Sequence, residues 1–180
     1  MPPHQPSAAS RYYAGIGSRQ TPESSQRLIT EVAEQLERQG YTLRSGGAQG
    51  ADTFFDLAAT RCQIFLPWRR FNDRDVPVQF QSPSQDAIAL ASEVINGFER
   101  RPQPVQMLLA RNMHQVLGLT LDAPVDFVVC WTPAGKVQGG TAHAIRLARN
   151  KDIPVYNLAR PKEHDSLLEQ LGLAKQLDMF

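Results

Sequence analysis

The sequence predicts an α/β fold: a doubly wound, mainly parallel five-stranded sheet with helices on both faces. Three observations carry this. Short apolar runs alternate with amphipathic stretches along the chain, the rhythm of a parallel sheet joined by crossover helices. Glycines cluster where an apolar run gives way to an amphipathic stretch, at Gly15/Gly17, Gly46/Gly47/Gly50 and Gly139/Gly140. Val125–Trp131 is apolar almost without interruption, the composition of a strand covered on both faces.

In chain order, Tyr12–Ile16 reads as the first strand. Thr21 caps a helix that starts at Pro22, where a missing N–H costs nothing. Leu28, Ile29, Val32, Ala33 and Leu36 fall on one face of this helix, and Gly40 closes it. Tyr41–Leu43 is the second strand, Ala51–Arg61 the second helix and Ile64–Leu66 the third strand. Residues 67–83 hold three prolines and no period, so they form a long loop, a kind of segment that is often functional. Helices follow at Ser84–Gly97 and Pro104–Leu117, separated by the polar segment Phe98–Gln103. Then come the Val125–Trp131 strand, a helix over Gly139–Asn150, a strand at Ile153–Tyr156 and a last helix at Glu163–Gln176. If the strand order is the common 3-2-1-4-5, the sheet is Rossmann-like. Ligands then bind beyond the carboxyl ends of strands one and four, where the order reverses.

Composition narrows the function. The 180 residues suit one domain, 11–180, preceded by a disordered tail, 1–10, whose sequence MPPHQPSAAS is not a signal peptide. With no run of ~18 apolar residues, no membrane partner is expected and the default compartment is cytoplasmic. Nineteen Lys+Arg stand against 18 Asp+Glu, so a global basic field of the kind that coats duplex DNA is excluded. Any polyanion must be met by a local cluster. Cys62 and Cys130 are too few for a disulfide framework or a cysteine zinc site, and both are expected to be buried in strands. His4, His114 and His164 lack ligand spacing, so neither a metal nor a cofactor is expected.

The glycine loops carry the chemistry. Each follows a strand and precedes a helix, so in a parallel sheet all three lie at one edge. Helix N-termini present unpaired N–H groups and partial positive charge, and glycine lets an anion approach the backbone. Ser18, Ser45 and Thr141 add hydroxyls, and Arg19 adds a planar cation suited to phosphate. The first loop lacks the third glycine of the dinucleotide fingerprint. No Lys-Ser/Thr follows the second, so an ATPase loop is excluded.

At these residues the chain resembles a known family. Tyr13-Ala-Gly-Ile-Gly-Ser-Arg19 and Leu43-Arg-Ser-Gly-Gly-Ala-Gln-Gly-Ala-Asp52 look like the Rossmann domain of the DNA-processing protein A (Smf) family. Arg111-Asn112 and Gly139-Gly-Thr-Ala142 resemble two further motifs of that family, in the same order. The likeness spans roughly residues 12–158 and extends to the superfamily (SLOG) that includes the "Lonely Guy" nucleotide hydrolases. Cys130-Trp-Thr-Pro-Ala-Gly135 looks like a short stand-alone branch. The resemblance implies binding of a nucleotide or short single-stranded nucleic acid through Gly17, Ser18, Arg19, Ser45, Gly46, Gly47, Gly50, Asp52, Arg111, Gly139, Gly140 and Thr141. Gly15 joins them as the first glycine of its loop. It leaves open a homo-oligomer paired through helices. The chain has no room for the extra domains of many such proteins. The glutamate that assists glycosidic cleavage in the hydrolases is replaced by Ala142-His143-Ala144.

Several residues admit two readings. Asp52 either caps its helix or touches the ligand. Arg111 either snorkels from a packed helix or reaches the glycine edge. His143 is a surface residue or a proton donor. Trp68 and Phe71 either stack on bases or tuck onto the domain, and Trp131 is a base platform or a core lid. The leading expectation is a phosphate-binding module. The rivals are a nucleoside monophosphate N-glycosidase or phosphoribohydrolase, with Asp52 and Asp56 as its carboxylates, and a sensor or sponge for a signalling nucleotide.

Overall fold

The computed structural model describes residues 10–173; the expected tail at 1–10 falls, but for its last residue, outside them. Five parallel strands form one sheet in the order β3-β2-β1-β4-β5: β1 Arg11–Gly17, β2 Tyr41–Ser45, β3 Cys62–Ile64, β4 Phe127–Trp131 and β5 Val155–Asn157. Six helices connect and flank them: α1 Gln26–Arg38, α2 Ala51–Ala58, α3 Gln85–Val94, α4 Gln103–Leu117, α5 Thr141–Asn150 and α6 Pro161–Gln170. The order reverses between β1 and β4, which pair Gly15 with Val129 and Gly17 with Trp131.

The alternation of side chains along β1 and β4 separates two cores. Tyr13, Leu43, Phe127 and Val129 face α1, α2 and α6 and pack with Ile29, Leu36, Phe55 and Leu167. Ala14, Ile16, Val128 and Cys130 face α3, α4 and α5, among Ala91, Met113, Val116 and Ile145. Burying each large side chain of this kind contributes about 1.5–3 kcal/mol, so both faces are firmly covered. No described helix is long and apolar enough to cross a membrane.

Boundaries shift where tertiary contacts outweigh local signals. The first helix starts at Gln26, after a short 3-10 turn at Glu23–Ser25, and Thr21 does not cap it. The Thr21 hydroxyl instead donates to the Ser18 carbonyl at 2.6 Å, which closes the loop after β1. The third strand slides from Ile64–Leu66 to Cys62–Ile64, because β2 pairs with Cys62 and Ile64, whereas the Leu66 amide donates to Phe80. Cys62 therefore sits on an edge strand and is exposed, against expectation; Cys130 is buried. Phe98, placed in a polar linker by its neighbours, is a core residue. The last helix begins two residues early, with Pro161 in its first turn, and ends at Gln170; the stretch 174–176 lies outside the described residues.

Helix α4 departs furthest from the amphipathic pattern. Every residue from Leu109 to Leu117 is buried, including Arg111, Asn112, His114 and Gln115. A helix enclosed on all sides is normally apolar all round. Polar side chains here must each find a partner, and where they find them defines the site.

Candidate functional site

The loops after β1 and β2 are laced together by one carboxylate. Asp52, in the first turn of α2, is 3% exposed, and its two oxygens accept from the amides of Gly17 (3.2 Å), Gly46 (3.1 Å) and Ala48 (3.4 Å). Donors that the sequence offers to an external anion are thus taken by an internal one. Gly17 permits this closeness: a Cβ there would lie 2.6 Å from the Ala51 Cβ and collide with the Trp131 carbonyl. Gly50 has φ +78°, and a side chain there would press on the backbone of Ser18 and Arg19. Ser18 completes the junction, donating its amide to Trp131 and accepting from the amides of Thr21 and Ala51. Its hydroxyl accepts from the Gln20 amide at 3.0 Å.

Arg111 reaches this junction from α4. It is 6% exposed; its guanidinium donates to the Gly46 carbonyl and, through Nε, to Asn112 Oδ1 at 3.2 Å. Burial pushes the Asp52 carboxyl above its usual range, while Arg111 and the three amides pull it back. Burial likewise lowers Arg111, Asp52 holds it up, and the neighbouring positive charge of Arg19 lowers it further. A guanidinium nonetheless stays charged; Arg111 acts on Asp52 through its field while its own hydrogen bonds go to Gly46 and Asn112.

The third loop differs. Gly139 and Gly140 are exposed, with open space where their side chains would be. Among the described residues no acceptor takes the amide N–H of Gly139, Gly140 or Thr141 at the start of α5. Asn112 Nδ2 donates to the Gly140 carbonyl at 3.1 Å, which ties α4 to this loop.

Between these loops lies a cleft of about 320 Å³. Of the residues singled out from sequence, it is lined by Gly17, Ser18, Arg19, Asp52, Arg111, Gly139, Gly140 and Thr141. The others are close by but do not line it. Gly15 lies in the strand, where a side chain would strike the Phe55 ring. The Ser45 hydroxyl donates to the Gly15 carbonyl at 2.7 Å. Gly46 sits against Arg111, Gly47 against Arg74, and Gly50 behind the first loop. Phe71 lines the cleft, whereas Trp68 packs edge-on against it at 5.1 Å and is 40% exposed. Trp131 joins the core around Phe127 and is not a lining residue.

Asn112, Gln115 and Gln138 also line the cleft and were not assigned from sequence. The signal for Asn112 was present, since it adjoins Arg111 in the motif. The two glutamines carried none. Asp56 is elsewhere: it pairs with Arg74 and lines a separate depression with Cys62. Among the described residues Asp52 is therefore the one carboxylate lining the cleft, and it is already held by three amides. Arg44 turns away, stacked 3.9 Å over the Tyr12 ring.

A parallel 3-2-1-4-5 sheet with three strand-to-helix loops gathered at its carboxyl edge defines a doubly wound domain of the Rossmann-like class. Within that class the comparisons point to proteins of the DNA-processing protein A kind as similar in fold. The family model of DNA recombination-mediator protein A matches residues 4–64, about a third of the chain. DNA processing protein A from Helicobacter pylori, described for its unique single-stranded DNA binding mode, superposes with a TM-score of 0.54 at 21% identity. That match covers 92% of this chain and 74% of the other. DNA processing protein A from Streptococcus pneumoniae superposes with a TM-score of 0.53 at 15% identity, covering 89% of this chain and 56% of the other. At these identities the likeness is one of fold, and the chain spans only part of each relative's length. No curated protein sequence matches.

Proposed function

We propose that the cleft binds the phosphate of a nucleotide or of a short single-stranded nucleic acid, within a single domain that acts as a binding module. The observation that carries this reading is the unoccupied set of amides at Gly139, Gly140 and Thr141, at the start of a helix and in a cleft that Arg19 and Arg111 also line. A helix N-terminus of this kind favours an anion through both its N–H groups and its dipole. Two cations against one carboxylate leave the cleft positive in a chain of formal charge +1. Its volume suits a nucleotide-sized guest, and Phe71 offers a ring for a base. The single-stranded DNA binding of the Helicobacter relative supports a strand over a free nucleotide.

Cleavage of a glycosidic bond requires a carboxylate near the sugar, and the engagement of Asp52 and Asp56 speaks for binding without turnover. Isothermal titration against nucleotides and oligonucleotides tests the assignment. Arg19→Ala, at an exposed position, is expected to weaken binding by about tenfold, the loss of one charge-assisted contact. Unchanged affinity across the panel removes the cleft as the site.

A further inference from the structure

The long loop after β3 carries a motif that the cleft only half absorbs. Trp68 and Phe71 end a tight turn: the Phe71 amide donates to the Trp68 carbonyl at 3.2 Å, and Arg69 and Arg70 form the tip. Phe71 lines the cleft, and the Trp68 ring packs edge-on against it, with centroids 5.1 Å apart and planes at 88°. Trp68 thus stands immediately outside the cleft. Burial accounts for Phe71 but not for Trp68, the one aromatic among the large exposed hydrophobic side chains of the described residues. An indole left open to water forgoes part of the apolar burial that usually places it. The backbone that presents it is also strained: Arg70, Asn72 and Asp73 have φ +60°, +51° and +58°, a region that non-glycine residues keep only where their surroundings enforce it. Two anchors enforce it here. Asn72 Nδ2 donates to the Gly47 carbonyl at 3.0 Å, and Arg74 lies against Gly47 and pairs with Asp56 of α2. The turn is thereby fixed to the β2–α2 loop, whose Gly46 and Ala48 amides Asp52 holds. Arg69 and Arg70 are exposed, and no carboxylate pairs with either among the described residues. An open aromatic face beside two unpaired cations suits a guest that is flat and carries one negative charge per repeat.

We propose that Trp68 is the stacking platform for a second base: with one nucleotide held in the cleft, the base of its neighbour in a single strand lies on the indole, and Arg69 and Arg70 supply charge for the backbone there. This rests on the cleft reading and deepens it: the site takes at least two nucleotides, and the strand leaves the cleft over the turn at residues 68–71. Because the two rings stand at right angles, two bases that each lie on one ring are turned out of a common stack, so the strand bends as it passes from Phe71 to Trp68.

The test titrates the full chain with thymidine monophosphate, a thymidylate pentamer and an abasic pentamer that keeps the phosphates without the bases. Wild type, Trp68→Ala and Trp68→Phe are compared. Trp68→Ala should keep the monophosphate affinity and bind the thymidylate pentamer at least about fivefold more weakly, the lower end of what one base–aromatic stack is worth. On the abasic pentamer it should match wild type, and Trp68→Phe should recover most of the loss. The chain has two tryptophans, and Trp131 belongs to the core, so fluorescence reads Trp68 directly. The thymidylate pentamer should quench wild type more than the monophosphate does, and Trp68→Ala should lose that difference. Pentamer binding by Trp68→Ala with wild-type affinity overturns the proposal, as does an equal loss on the abasic strand, which would assign the effect to the backbone. The cleft reading fails separately, when Arg19→Ala leaves monophosphate and pentamer affinities unchanged.

Discussion

The two buried, mutually coupled side chains beneath the cleft, Asp52 and Arg111, give the sharpest test of how the loops are held. Asp52 and Arg111 are both buried, and each satisfies backbone groups of the β2–α2 loop, Asp52 the amides of Gly46 and Ala48 and Arg111 the carbonyl of Gly46. Asp52→Asn removes the charge while keeping the shape, and turns an NH2 group toward amides that are themselves donors. Arg111→Met leaves Asp52 buried without its cation. Each change strands buried polar groups and leaves the other charge without its nearby opposite, a loss of about 3–5 kcal/mol out of the ~5–15 kcal/mol that holds a domain together. With a urea m-value of about 2 kcal/mol/M, either change should lower the unfolding midpoint by about 1.5–2.5 M. The combined variant removes both charges, so its loss should fall short of the sum by about 1–3 kcal/mol. Urea titration followed by circular dichroism measures all three. Single losses below about 1 kcal/mol that simply add would show that the two residues do not act as one clamp.

Three further outcomes follow from the same geometry. Gly140→Ala, at a residue with helical φ −62° and ψ −38° and open space around it, should leave stability within about 1 kcal/mol of wild type. The same methyl enters the space of the proposed phosphate, so titration should show weakened nucleotide binding; a loss of stability with intact binding would contradict this. Gly17→Ala should cost about 1–3 kcal/mol in urea unfolding, because the methyl meets Ala51 and the Trp131 backbone. His114 accepts from the Ser84 amide through Nε2 at 3.1 Å and donates from Nδ1 to the Gly118 carbonyl at 2.9 Å, so the folded chain holds it neutral and burial lowers its pKa. The unfolded chain then binds the extra proton first, and the stability His114 contributes is complete above its ordinary value of 6.5 and lost as pH falls below it. The urea midpoint should drop between pH 7 and pH 5, and His114→Gln should flatten that slope.

The sequence showed the sheet well, because strand and helix signals here agree with the packing. The apolar run ending at Trp131 and the face of α1 that buries Ile29, Val32, Ala33 and Leu36 needed no tertiary information. The edge of β3 did: its apolar residues Phe65 and Leu66 are buried beyond the sheet, while its first residue, Cys62, is exposed. At the site, sequence marked the three loops but could not separate donors open to a guest from donors already bonded within the chain. A carboxylate in the first turn of a helix reads as a cap whether it serves its own helix or two neighbouring loops. Asp52 does the latter, and the parallel pairing of β1 with β2 brings Gly17 within its reach. Residues such as Gln115 and Gln138 have no pattern of their own; their place in the cleft comes from packing alone.

That distinction bears on how the three loops divide their work. If all of them offered free amides, the edge would carry many unsatisfied donors in the empty protein, and each buried one would cost about 1–3 kcal/mol. Filling the first two loops with Asp52 removes that cost and stiffens the junction. The third loop, exposed to water, can leave its amides open at little expense until a ligand arrives. An anion that displaced Asp52 would have to expel a buried carboxylate from beside Arg111, whereas one that settled on Gly139–Thr141 displaces only water. The phosphate should therefore track α5, and the rigid junction of β1, β2 and α4 should act as the wall against which it is placed.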